Sequence, residues 1–216
     1  MKRISTSQAW TNSRAAVLAA ALLLGSTLPA RSAQSPSEVV TGTSEAVIAV
    51  LKQQALSKAE KRTRIEDIVL RSVDFDTLSK LTMARNWTKL STAQQEEFRQ
   101  EFRRHLSATY GRRIDDYRNE TVTVLGTREE SRGDQTVKTR INRGGGTADV
   151  LVDYRLRKTD GEWKIIDVVI EGVSLVANFR SQFQDLMAHG GAEHLLAALR
   201  QKTAEEEQSG TAGKKS

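Results

Sequence analysis

The sequence predicts an α+β fold: N-terminal helices, a curved four-stranded antiparallel sheet, then C-terminal helices. Three observations carry this. Between Val39 and Tyr117 the apolar residues recur at three- and four-residue steps. From Thr121 to Ile170 the period falls to two or, over Trp163–Ile170, the run is apolar at nearly every position except Lys164 and Asp167. After Gly172 helical spacing returns with Leu175, Val176, Phe179, Phe183 and Leu186. Elements segregated in this way place the helices on one face of the sheet. A sheet curled over helices has an interior that is either packed or able to hold a ligand.

Residues 1–32 stand apart. Lys2, Arg3 and Arg14 form a positive start, Ala15 to Leu28 is apolar and uncharged, and Ala30 and Ser32 are small at the positions that matter for a cut before Ala33. This is the layout of a secretory signal peptide; the apolar run is shorter than the ~20 residues of a spanning helix. The chain carries 33 basic and 27 acidic residues, net +6. Four of the cations (Lys2, Arg3, Arg14, Arg31) and no acid lie in 1–32, which leaves 29 against 27, net +2. The basic excess therefore belongs mostly to the leader, and no nucleic-acid partner is expected. The expected layout is a leader at 1–32, one domain at 38–201, and a polar, disordered tail at 202–216.

The elements follow in order. Pro36-Ser37-Glu38 opens a first helix with Val39, Val40, Ala46, Val47, Val50 and Leu51 on its apolar stripe. Lys58 to Arg64 reads as a charged connector and Ile65, Ile68 and Val69 as a short second helix. Asp74 and Asp76 are N-cap candidates for a third, with Leu78, Leu81 and Met83. Ser91 to Gln95 is a capping box that launches the longest helix, with Phe98, Phe102, Leu106, Tyr110, Ile114 and Tyr117 on one face and Arg99, Arg103, Arg104, Arg112 and Arg113 on the other. Strands are expected at Thr121–Leu125, Gln135–Arg143, Val150–Leu156 and Trp163–Ile170, the last two joined at Asp160-Gly161. Gly190-Gly191 breaks the following helix before a short one at Ala192–Arg200.

The catalytic inventory is thin. There is no cysteine, hence no thiolate nucleophile, no Cys-based zinc site and no lipid-anchoring thiol. His189 and His194 flank a Gly-Gly and lack the spacing of a helical zinc pair; His105 lies on the Arg-rich helix and reads as a surface residue. Ser174 lacks the closing glycine of a nucleophile elbow and reads as an N-cap. Gly144-Gly145-Gly146 joins two strands and precedes no helix, so it is no phosphate loop. Asp153 and Asp167 stand in apolar strands. Buried in a cone-shaped fold, either would have the raised pKa of a general base. Otherwise Asp153 faces solvent beside Arg155, and Asp167 pairs with an arginine or a helix end. The arginine face reads as solvated, with attraction to acidic partners as its alternative.

Asp153 to Phe183, D-Y-R-L-R-K-T-D-G-E-W-K-I-I-D-V-V-I-E-G-V-S-L-V-A-N-F-R-S-Q-F, closely resembles the signature of the MlaC family of toluene-tolerance auxiliary proteins. Phe75-Asp76, Arg85-Asn86-Trp87, Gln94 to Phe102 with Tyr110, and Gly190-Gly191 are also similar. The resemblance spans roughly Val39 to Leu199 and departs at the triple glycine and the tail. It implies a non-enzymatic periplasmic phospholipid carrier with an NTF2-like cone and an apolar pocket. The partners it implies are a phospholipid, an inner-membrane ABC transporter with an MCE-domain subunit, and an outer-membrane lipoprotein complex. A sibling branch is associated with hopanoid lipids; an NTF2-like enzyme using Asp153 or Asp167 is the other alternative.

Such a carrier needs an apolar cavity and neither cofactor, metal nor nucleophile. The candidate lining is Val122, Val124, Ile141, Val150, Val152, Tyr154, Ile166, Val168 and Ile170 from the strands, Val173, Val176 and Phe179 beyond them, and Leu78 and Leu81 from the helical layer. Each of these equally fits an ordinary core. The Glu171–Leu175 turn is the expected lip.

Overall fold

The structure is a computed structural model that describes residues 34–111, Tyr117 and residues 119–212, with side chains through Gln208. The expected leader and the expected helical positions Arg112, Arg113 and Ile114 lie outside the described residues.

Helix α1 (Pro36–Leu51) begins at a capping box: Ser35 Oγ accepts from the Glu38 amide, and Glu38 accepts from the Ser35 amide at 2.6 Å. Helix α2 (Lys58–Ser72) starts seven residues before the first expected apolar position. A second capping box, Ser57 with Glu60, starts it there, so the charged stretch is helix and not connector. Asp74 caps α3 (Phe75–Met83) by accepting from the Thr77 amide at 2.9 Å. A 3₁₀ segment, Ala84–Lys89, leads to α4 (Thr92–Gly111), whose start is the expected Ser91–Gln94 box.

The sheet is a meander of β1 (Thr121–Glu129), β2 (Gln135–Asn142), β3 (Val150–Thr159), β4 (Glu162–Ile170) and β5 (Val173–Ser174), all neighbours antiparallel. Strand β1 runs past its expected end through a bulge at Leu125. Asp160 and Gly161, at φ 51° and 84°, make the expected tight turn. The sheet has five strands where four are expected. Glu171 and Gly172 take φ 48° and 79°, which folds the chain back on Ile170 and pairs two more residues before the helix begins.

Helix α5 (Leu175–Ala212) is kinked at Gly190 and Gly191. A Cβ at Gly190 would stand 2.6 Å from the His194 Cβ, so the kink requires glycine there. Beyond it the chain stays helical where a disordered tail is expected. Thr203 is fully buried and bonds His105 and the Leu199 carbonyl, and Glu207 pairs bidentately with Arg104. His105 and Arg104 stand about a hundred positions away on α4, which is why polar composition alone misreads the segment.

Among the described residues, most of the buried apolar side chains fall into two clusters, with Val50, Ile65, Val152 and Ile166 outside both. The helical one joins α3, the 3₁₀ segment, α4 and α5 around Phe98, Phe102, Phe179 and Phe183, whose ring centroids lie 5.0–5.5 Å apart. The other seats Val40 of α1 on Val137, Leu156 and Ile165 of the sheet. Among the described residues, Val73 alone packs against both. A domain of this size ordinarily has one contiguous core.

Candidate ligand-binding site

Strand register assigns the faces. Cross-strand partners share a face, and the pairs align in rows. Val122, Ile141 and Val150 form the first row. Val124, Thr139, Val152, Ile170 and Val173 form the second. Thr127, Val137, Tyr154 and Val168 form the third, and Glu129, Gln135, Leu156 and Ile165 the fourth. Together they make one inner face, apolar but for Thr127, Thr139 and the Glu129–Gln135 corner. The sequence separates these strands by turns; the register unites them.

This face is sealed at one end and partly open at the other. Val137, Leu156 and Ile165 are buried under α1, where Val39 and Val40 lie against them. Val122, Ile141 and Val150 are only half-buried, Ile170 is 39% exposed and Val173 63%. Thr139 and Val152 are buried between. The two hydroxyls of threonines on this face are committed: Thr139 Oγ1 donates to the Val152 carbonyl at 2.7 Å, and Thr127 shares a hydrogen bond with Ser37 of α1. Tyr154 is half-buried, and burial pushes its phenol pKa up.

The structure divides the expected lining. The eight residues Val122, Val124, Ile141, Val150, Val152, Tyr154, Val168 and Ile170 share the inner face, and Val173 extends it on β5. Ile166 is the bulge residue opposite Arg155 and Leu156 and is fully buried. Leu78, Val176 and Phe179 belong to the helical cluster, with Leu81 packed on it. Val137, Leu156, Ile165 and the α1 valines Val39 and Val40 belong to the sheet cluster that adjoins this face. Val137 is legible from its period with Ile141; the seating of α1 has no local sequence signature.

The acids expected as general-base candidates occupy the opposite face. Asp153 stands across from Lys138 and Val169. Asp167, across from Arg155, is buried and engaged: Oδ2 accepts from Ser174 Oγ at 2.6 Å and Oδ1 from the Val176 amide at 3.0 Å. Ser174 Oγ in turn accepts from the Ala177 amide, the expected cap. Asp167 is thus a helix-end carboxylate, and neither acid shares the apolar face.

His105 departs from expectation. It is buried against Phe179 and Thr203, and its pKa is lowered by burial first and by the Lys202 charge second. The described arginines of α4 are engaged with neighbours. Arg99 pairs with Asp76 and Glu96 and lies 5.0 Å over Trp87, Arg103 lies over Phe75, and Arg104 holds Glu207. A separate shallow cleft of about 540 Å³ lies where α2 meets the β3–β4 hairpin. Leu70, Val73 and Phe75 form its apolar part, and Arg71, Asp74, Asp160, Glu162 and Lys164 ring it with charge.

Comparison with known proteins agrees with this architecture. Over 164 residues the chain is 29% identical to the toluene tolerance protein ttg2D of Pseudomonas putida, covering 74% of this chain and 76% of that protein. It is 22% identical over 149 residues to the intermembrane phospholipid transport system binding protein MlaC of Haemophilus influenzae, covering 67% and 69%. A phospholipid-binding protein from Ralstonia solanacearum, solved in complex with a phospholipid, superposes with a TM-score of 0.73 at 24% identity, covering 80% of this chain and 99% of that one. The profile described as MlaC protein matches residues 41–201, and the chain belongs to that family.

Proposed function

We propose that the chain, freed of residues 1–32, is a periplasmic carrier that holds the acyl chains of a phospholipid against the inner sheet face and ferries it between the two membranes. The observation that carries this reading is the apolar inner face, continuous over four strands, half-covered at its Val122–Ile141–Val150 row and nearly separate from the helical core. Two chains of ~16 carbons expose about 30 methylenes, at ~0.8 kcal/mol each, so a phospholipid does not cross water without such a surface. The leader-like layout of residues 1–32 supports export. The names of the relatives and the lipid-bound neighbour support lipid carriage as a binding function and not a catalytic one. The partners on this reading are an inner-membrane ABC transporter with an MCE-domain subunit and an outer-membrane lipoprotein complex.

Native mass spectrometry of the mature protein, purified without detergent, tests it. A co-purifying phospholipid is the expected result, and extraction identifies it as phospholipid or hopanoid. Protein that is lipid-free and also takes up no labelled phospholipid from vesicles overturns the reading.

A further inference from the structure

We propose that the cleft between α2 and the β3–β4 hairpin docks a polypeptide partner. The docked segment carries an apolar or aromatic anchor, with an acid two positions to one side and a base two positions to the other. This goes beyond the carrier reading, since the cleft takes no part in the apolar sheet face.

The walls are fixed in advance. Asp74, just before α3, accepts from the Thr77 amide at 2.9 Å, from the Thr77 hydroxyl at 2.7 Å and from Thr159 Oγ1 of the hairpin at 3.1 Å. Its own amide donates to the Ile165 carbonyl of β4 at 3.0 Å. Lys164 Nζ donates to the Arg71 carbonyl at the end of α2 at 3.0 Å and pairs with Glu162 at 2.8 Å. Helices α2 and α3 are thus tied to the hairpin across the cleft, and little ordering remains for a partner to impose. Between these ties Leu70, Val73 and Phe75 stay only half-buried. Phe75 is held edge-on by Phe102, with ring centroids 6.4 Å apart. A preformed apolar centre inside a charged rim is the arrangement of a protein-binding hot spot.

The rim specifies the occupant. Asp74 and Lys164 are committed to the ties. Among the described residues, the exposed Arg71 guanidinium and Asp160 carboxylate have no partner. One unengaged charge of each sign therefore borders the apolar floor, and its complement is one acid and one base about an apolar anchor. In an extended segment every second side chain shares a side, so the anchor and both charges reach the cleft together. Lipid fits poorly. Three side chains do not cover the about 30 methylenes of two acyl chains, and the acids of the rim repel an anionic bilayer surface. Thr159, at the hairpin end of β3, lies about 30 Å along the strand from Val150 in the half-open row. A partner docked at the cleft leaves that open row free.

The experiment titrates isotope-labelled mature protein with end-blocked pentapeptides and follows the amide resonances of Leu70, Val73 and Asp160 by NMR. Glu-Ser-Phe-Ser-Lys is expected to give saturable shifts. Glu-Ser-Phe-Ser-Glu and Lys-Ser-Phe-Ser-Lys are expected to bind about threefold more weakly, the size of one exposed ion pair. Glu-Ser-Ser-Ser-Lys, without the anchor, should give none. Arg71→Glu should make Lys-Ser-Phe-Ser-Lys the tightest of the set. Asp160→Asn, which keeps an Asn-Gly turn, should remove the advantage of the Lys end over a second Glu. Unchanged resonances at Val137 and Leu156 report an intact fold in both variants. Absence of saturable shifts at millimolar Glu-Ser-Phe-Ser-Lys, or equal binding of the three Phe peptides, overturns the proposal. Cleft shifts produced by vesicles of phosphatidylethanolamine and phosphatidylglycerol in place of the peptide overturn it in favour of a lipid surface. Cleft shifts produced by raising the protein concentration alone overturn it in favour of a second copy of the chain. Co-purified lipid is read separately, so each of these failures leaves the carrier reading intact.

Discussion

Asp167 and Ser174 join the last long strand to the last helix. The serine hydroxyl donates to the carboxylate at 2.6 Å and accepts from the Ala177 amide, while the other carboxylate oxygen takes the Val176 amide. One buried acid thereby holds two groups of the turn where sheet gives way to helix. Asp167→Ala leaves a half-buried hydroxyl and a buried amide without an acceptor. The expected loss is about 2 kcal/mol of unfolding free energy, read by urea titration. Lipid identity in the purified variant should stay unchanged, since the carboxylate lies off the apolar face.

Acid sensitivity should centre on Asp134. It is fully buried beneath Arg157 and Arg155. Burial by itself would raise its pKa, but the Arg157 hydrogen bonds and the two guanidinium charges outweigh it and the pKa is lowered. The folded state then binds fewer protons than the unfolded one, so the contribution is complete above the unfolded value of about 3.9 and is lost as pH falls through the lower folded value. Urea midpoints measured from pH 6 to pH 2.5 should fall below pH ~4. Asp134→Asn should be less stable at neutral pH and show a shallower fall.

His105 acts in a higher window. Burial and Lys202 lower its pKa, so the unfolded chain takes up a proton first as pH drops. Stability from this group is complete above about 6.5 and declines as pH falls from there to the lowered folded value. His105→Gln should flatten that segment of the stability profile, and in the wild type the His105 imidazole resonances should titrate below the ordinary histidine value of about 6.5.

Deletion of residues 203–216 removes the buried Thr203 and the Glu207 that Arg104 holds. The expected cost is about 1–2 kcal/mol in urea unfolding, and the His105 pKa should move back toward its ordinary value. Phospholipid binding should persist, because the deleted helix packs on α4 and not on the sheet.

A charge on the half-open row should empty the site. Val150→Glu places a carboxylate among Ile141 and Val122 and is expected to lower co-purified lipid at least tenfold. Lys138→Gln, on the opposite face of the neighbouring strand, should leave lipid content unchanged.

Much of the architecture is legible in the sequence because period and capping are local. The Ser91–Gln94 box, the Asp74 cap, the Asp160-Gly161 turn and the Gly190-Gly191 kink all appear where the residues demand them. What is not legible depends on distant partners. The fifth strand exists because two positive-φ residues fold Val173 onto Ile170, and the helical tail persists because Arg104 and His105 wait for it on α4.

The sequence by itself determined the order of elements, the alternation that gives each strand a dry face, and the likeness to a lipid-carrier family. Only the tertiary structure decided how the apolar residues are shared out. Val176 and Phe179 show the same helical spacing as any lining residue, yet they close into the aromatic cluster, while Val124, Val152 and Tyr154 face a surface that α1 covers only in part. Periodicity specifies which side of an element avoids water; strand register and helix seating specify what that side meets instead.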